Sequence, residues 1–169
     1  MTKNGKEFVN VKSLITAALE PTGFRRQGSR WYRWKEGILV ELFWCKCSWD
    51  ERYFLDVRVA VNDREISRSE EGVFYAFARL DRLVDSWQEV QNLSRKELSR
   101  EDSKRFKEIL EREAVPVLKQ LLEPAGAKTL IPTLLPRNPT LRRWSYGEPI
   151  IREFERLISL KEVKTRQES

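Results

Sequence analysis

Residues 38–47 and 52–61 both alternate apolar with polar side chains, and one antiparallel pairing satisfies both stretches at once. A loop of Ser48, Trp49, Asp50 and Glu51 places Cys47 opposite Arg52. Counting back from that turn sets Trp44 against Leu55, Leu42 against Val57, Val40 against Val59 and Ile38 against Val61, so one face is apolar at every pair. The reverse face then sets Glu41 against Arg58 and Phe43 against Asp56. Sliding either strand by one residue would carry the apolar set to the wrong side and separate the opposite charges.

The same logic extends upstream. Lys35-Glu36-Gly37 reads as a three-residue hairpin loop, with Gly37 in the left-handed conformation that such a loop needs. On that count Tyr32 and Trp34 join the apolar face, and Trp31 and Arg33 join Glu41 and Arg58. The centre of the fold is therefore expected to be an antiparallel sheet over residues 28–62.

Around it, apolar spacing from Phe8 to Leu19, stopped by Pro21 and Gly23, predicts a helix over residues 6–20. Residues 73–80 read either as a helix or as a fourth strand, and the aromatic content after Gly72 favours a strand followed by a helical turn. Ser99 and Asp102 form a capping pair for a long helix through Phe106, Ile109, Leu118 and Leu121, kinked at Pro116. The prolines between Pro124 and Pro149 predict an extended surface segment. A last helix starts near Pro149, followed by a charged tail from Lys161 that is expected to fray. The fold class is α+β: an antiparallel sheet of three or four strands with an N-terminal helix and C-terminal helices packed on it. We expect one domain over residues 1–160 and a tail over 161–169.

Apolar residues make up 40% of the 169-residue chain and charged residues 34%, enough to build a core without disulfides or metal. The longest apolar runs are far shorter than a membrane span, and the amino terminus lacks the apolar centre of a secretory signal, so we expect a cytoplasmic protein with no membrane partner. The two cysteines, Cys45 and Cys47, lie two apart in a strand, about 6.7 Å between side chains on one face, which is poor geometry for a disulfide. With no histidine anywhere, the chain cannot complete a Cys/His zinc site of its own, and no metal or other cofactor is expected.

The run Leu19, Gly23-Phe24-Arg25-Arg26, Gly28, Trp31-Tyr32-Arg33, the alternating strand, and then Lys46, Trp49 and Tyr53 resembles the domain of unknown function 4304 family, a group of uncharacterised bacterial proteins. The resemblance spans residues 14–62, with weaker echoes at Arg79-Leu80 and Val115-Pro116. That family has Gln and Ser flanking the lysine where this chain has Cys45 and Cys47. The resemblance implies the fold and carries over no catalytic residues.

The missing histidine also removes the commonest general base and every Ser-His or Cys-His nucleophile pair. No glycine-rich phosphate loop and no nucleophile-elbow motif occurs. An enzyme is therefore not the favoured reading, and no catalytic residues are assigned. The candidate site is the polar sheet face: Trp31, Arg33, Glu41, Phe43, Asp56 and Arg58, with Lys46 and Tyr53 near one end. It can hold a polar ligand between guanidiniums, carboxylates and rings, or serve as an ordinary cross-strand ion pair. The net charge of +6 and the residues Arg25, Arg26, Arg142 and Arg143 define a nucleic-acid alternative. The favoured partner is another protein, because Trp, Tyr and Arg dominate binding hot spots. Bacterial immunity and antitoxin-like proteins offer the analogy.

Overall fold

A computed structural model describes residues 2–3, 6–49, 51–69, 74–134 and 147–167. Its centre is a five-stranded antiparallel sheet in the order β3-β4-β5-β6-β7. The strands are β3 (Arg25–Gln27), β4 (Arg30–Lys35), β5 (Ile38–Lys46), β6 (Tyr53–Val61) and β7 (Phe74–Arg79). The β5–β6 register is the one that the alternation demands, from Ile38 opposite Val61 to Trp44 opposite Leu55, with Cys47 N–H donating to the Arg52 carbonyl at 2.8 Å. The segment around residues 73–80 is a strand, β7, closed by a helical turn at Leu80–Arg82; Val73 lies outside the described residues. The sheet thus has five strands where three or four were expected, because the short β3 carries no alternation of its own.

The turn between β4 and β5 corrects the upstream expectation. Lys35 pairs with Ile38, so the loop has two residues, Glu36 and Gly37, and both take positive φ, at 47° and 90°. That is the mirror-image turn whose twist matches the strands it joins. Shortening the loop by one residue turns β4 over. Trp31 now lies opposite Leu42 and is fully buried, and Arg33 lies opposite Val40, while Arg30, Tyr32 and Trp34 join Glu41.

The first face of the sheet carries the main core. Val40, Leu42, Trp44, Leu55, Val57 and Val59 pack there against buried residues of every surrounding helix. These helices are α1 (Val11–Leu19), α2 (Trp87–Leu93), α3 (Arg100–Ile109), α4 (Val115–Leu121), α5 (Pro124–Leu134) and α6 (Gly147–Gln167). No helix among the described residues is long and apolar enough to cross a membrane.

Three further expectations are corrected. Lys6–Asn10 is a strand, β2, which pairs with β1 (Thr2–Lys3) and with β8 (Glu97–Ser99), so the predicted helix begins only after Asn10. Asn10 stops the strand and starts α1: its side-chain oxygen accepts the Lys12 N–H at 2.9 Å. The pairing partner is almost ninety residues away in sequence, and no local window contains it. Pro124 opens α5 instead of an extended segment, because a proline at the first helical position forfeits no hydrogen bond. Pro136 and Pro139 lie outside the described residues. Lastly, α6 continues through Lys161 to Gln167 without a break.

The long helix keeps its cap and widens ahead of Pro116. Ser99 Oγ accepts the Asp102 N–H at 3.1 Å. Ahead of Pro116, which has no N–H to give, residues Leu110–Ala114 form a wider turn in which Val115 N–H reaches the Leu110 carbonyl.

Candidate functional site

Residues directly opposite one another in an antiparallel sheet share a face, so the register lays out the second face in rows that run across the strands. One row is Gln27, Arg30, Phe43, Asp56 and Arg79; the next is Arg25, Tyr32, Glu41, Arg58 and Phe77. A third row is apolar, with Trp34, Leu39 and Ala60. Among the described residues the covering over this last row is the segment 62–69, whose Ile66 packs onto Leu39 and Ala60 with Tyr32 and Trp34 alongside. The polarity of the face therefore changes along the strands, from a capped apolar end to a polar end where Phe43, Phe54, Asp56 and Arg58 are half-buried and Arg79 is exposed.

Glu41 stands at the boundary and has no exposure to solvent. Arg30 donates to its Oε1 from Nη1 at 2.9 Å, and the backbone N–H of Ser69 donates to its Oε2 at 2.9 Å. Arg30 is itself buried and donates its second amino group to Gln27. An unpaired carboxylate here would carry a large desolvation penalty. Both of its oxygens are engaged, and its partners come from two separate segments.

On the polar end, guanidiniums lie over phenyl rings: Arg58 over Phe43 at 4.3 Å and Arg79 over Phe54 at 3.9 Å. Such stacking holds long side chains in place. Asp56 sits among them. Burial raises its pKa above the ordinary carboxylate value, outweighing the opposing pull of Arg79 and Arg58. The Cys45 thiol, which bonds to Asp56, is pushed up as well, first by burial and then by the Asp56 charge. A thiol held protonated in this way is a poor nucleophile and a poor metal ligand. Both cysteines are free, and among the described residues no group of three His, Cys, Asp or Glu side chains could hold a metal ion.

The sequence-predicted site residues divide accordingly. Glu41, Phe43, Asp56 and Arg58 share the second face, as expected. Trp31 and Arg33 do not belong to it. Trp31 is core, with its indole N–H donating to Thr16 Oγ1 at 3.0 Å, and Arg33 bonds the Thr22 carbonyl beside Gly23. Lys46 and Tyr53 pair at the end of the other face, where Tyr53 stacks on Trp44 at 4.8 Å. Arg25 and Arg26 are consecutive in β3 and so project to opposite sides, with Arg26 lying over the Trp31 ring at 5.6 Å. Arg142 and Arg143 lie outside the described residues. Arg30, Gln27, Tyr32, Arg79 and the Ser69 backbone complete the face and were missed. The first three follow from a two-residue turn at Glu36-Gly37, a signal that positive φ at a non-glycine residue conceals.

One more feature stands apart. Trp49, at the tip of the β5–β6 hairpin, is 93% exposed.

Comparison of the chain with protein-family models, with curated proteins and with solved structures finds no significant match.

Proposed function

We propose that this chain is a non-catalytic protein-binding domain whose contact centre is the β5–β6 hairpin tip. The observation that carries this reading is the exposure of Trp49. An indole held in water on a well-formed hairpin gains nothing for the fold, yet it is the side chain that contributes most when it enters a partner's pocket. The tip is braced for that role by the Cys47–Arg52 backbone bond and by the Trp44–Tyr53 stack beneath it. Lys46, Glu51 and Arg52 are exposed around it, so the complementary surface is an apolar socket with a charged rim. Lys46, Trp49 and Tyr53 are also among the residues that carry the resemblance to the domain of unknown function 4304 family. A bacterial immunity or antitoxin-like role is consistent with that architecture by analogy.

The test places a photo-crosslinking benzoylphenylalanine at Trp49 and, as a control, at the exposed Glu101, in the native host. The expected result is one discrete adduct from position 49 that is absent from position 101. The partner so identified should bind purified wild-type chain at least about tenfold more tightly than Trp49→Ala, the usual scale for a hot-spot tryptophan. The same adducts from both positions, or equal affinity for both chains, would refute the reading.

A further inference from the structure

The two oxygens of Glu41 hold the two walls of a groove. Oε1 fixes the Arg30 guanidinium. Oε2 fixes the Ser69 N–H, and with it the end of the 62–69 segment, so that Arg68 stands over the groove from the other side. Phe43 supplies the apolar ring of the lining, Trp44 borders it while its indole packs on the first face, and the β3–β4 turn supplies Gln27, Gly28 and Ser29. The groove has a volume of about 650 Å³ and opens to solvent, within the roughly 300–1,000 Å³ typical of small-ligand sites.

Its chemistry points to one ligand class. Among the described residues, Arg30 and Arg68 are the charged side chains of the lining. The carboxylate behind Arg30 is fully buried with both oxygens engaged and does not line the groove, so it orients the guanidinium and is not exposed to a cation there. Arg30 commits one N–H to Glu41 and one to Gln27, out of the five that a guanidinium carries. Phe43 is half-buried and presents ring surface, backed by Arg58 at 4.3 Å. Gly28, at φ 64°, leaves the turn backbone bare: a Cβ there would meet no atom within 4 Å. A flat ligand can therefore approach the main chain closely.

We propose that this groove binds a small organic anion of mononucleotide size, with a flat ring against Phe43 and a phosphate or carboxylate between Arg30 and Arg68. The site is separate from the hairpin tip and has in common with it only Trp44, which borders the groove and stacks on Tyr53 beneath the tip, so either proposal can fail without the other.

The experiment is isothermal titration of the full chain with adenosine monophosphate, benzoate and inorganic phosphate, repeated on Arg68→Ala and Phe43→Leu. Arg68 is exposed, so its removal leaves the fold intact, which a thermal melt verifies. One-to-one binding of at least one ring-bearing anion, tighter than inorganic phosphate, is the expected result. Arg68→Ala should weaken it by about tenfold, the scale of one charge-assisted hydrogen bond. Phe43→Leu should weaken the ring-bearing anions several-fold and leave inorganic phosphate unchanged. The two headgroups are told apart by which of adenosine monophosphate and benzoate binds more tightly. The proposal is overturned if neither binds at millimolar concentration, or if Arg68→Ala binds as tightly as the wild type. It is also overturned if affinity for single-stranded oligonucleotides grows steadily with length, which would mark a polyanion track.

Discussion

The two faces of the central sheet are built by different means. On the first, Trp31, Val40, Leu42 and Val57 are 0–2% exposed within the main apolar core, so stability there comes chiefly from area removed from water and from close packing. On the second, a buried carboxylate, a buried guanidinium and a row of Arg-on-Phe stacks occupy the same strands. Burial on that side is sustained by specific partners instead of by area. The first face tolerates changes of shape among apolar residues. The second tolerates the loss of almost no partner near Glu41, and much more at its open end.

The largest effect should come from deciding which face β4 presents. Trp31→Ala empties the core face and should cost about 3–5 kcal/mol, read by urea denaturation, while Trp34→Ala, at the margin of the small cluster under residues 62–69, should cost distinctly less. The three-residue loop suggested by the sequence would reverse that order, because it puts Trp34 in the core and Trp31 on the polar side. A larger loss at Trp34 would therefore restore the longer loop.

The contrast between β4 and its neighbours also shows what a sequence makes legible. The β5–β6 pairing could be read from residues 38–61 because two alternating strands and a turn constrain one another, and Glu41 opposite Arg58 checks the apolar count independently. β4 had no such check. Its residues Arg30-Trp31-Tyr32-Arg33-Trp34 alternate between aromatic and basic on both faces, so either orientation looks plausible, and the answer depended on whether Glu36 takes φ 47°. Glu41, Phe43, Asp56 and Arg58 were legible for the first reason, and Trp31 and Arg33 were misplaced for the second. Residues 6–10 failed differently: their strand character comes from pairing with residues 97–99, a long-range contact that local periodicity does not encode. At Pro124 the local signal was present but ambiguous, since proline both begins helices and interrupts them.

The next effect tests whether the second face depends on partners. Glu41→Ala leaves Arg30 buried without its counter-charge and should cost about 3 kcal/mol, the range for breaking a buried pair. The double variant Arg30→Met with Glu41→Leu removes both charges and should recover a large part of that loss. If the single change costs under about 1 kcal/mol, the pair behaves as a surface ion pair, and Glu41 does not organise the groove walls.

The smallest effect carries a sign. Asp56 has a raised pKa, chiefly because burial disfavours its charge, so between its ordinary and its raised value the folded chain holds more of this proton than the unfolded chain does. By linkage, the contribution of this group to stability declines as pH rises through that window and stays diminished at neutral pH. Asp56→Asn keeps an acceptor for the Cys45 thiol and has no charge to bury. It should raise the melting temperature slightly at neutral pH, by under about 1 kcal/mol in stability for a half-exposed site, and the gain should vanish in acid below the ordinary carboxylate range. Arg79 and Arg58 oppose this outcome, since both favour the charged form. A variant that is destabilised at neutral pH would mean that their attraction outweighs burial, so that Asp56 belongs to a working charge network on the open face and is not a carboxylate stranded beside one.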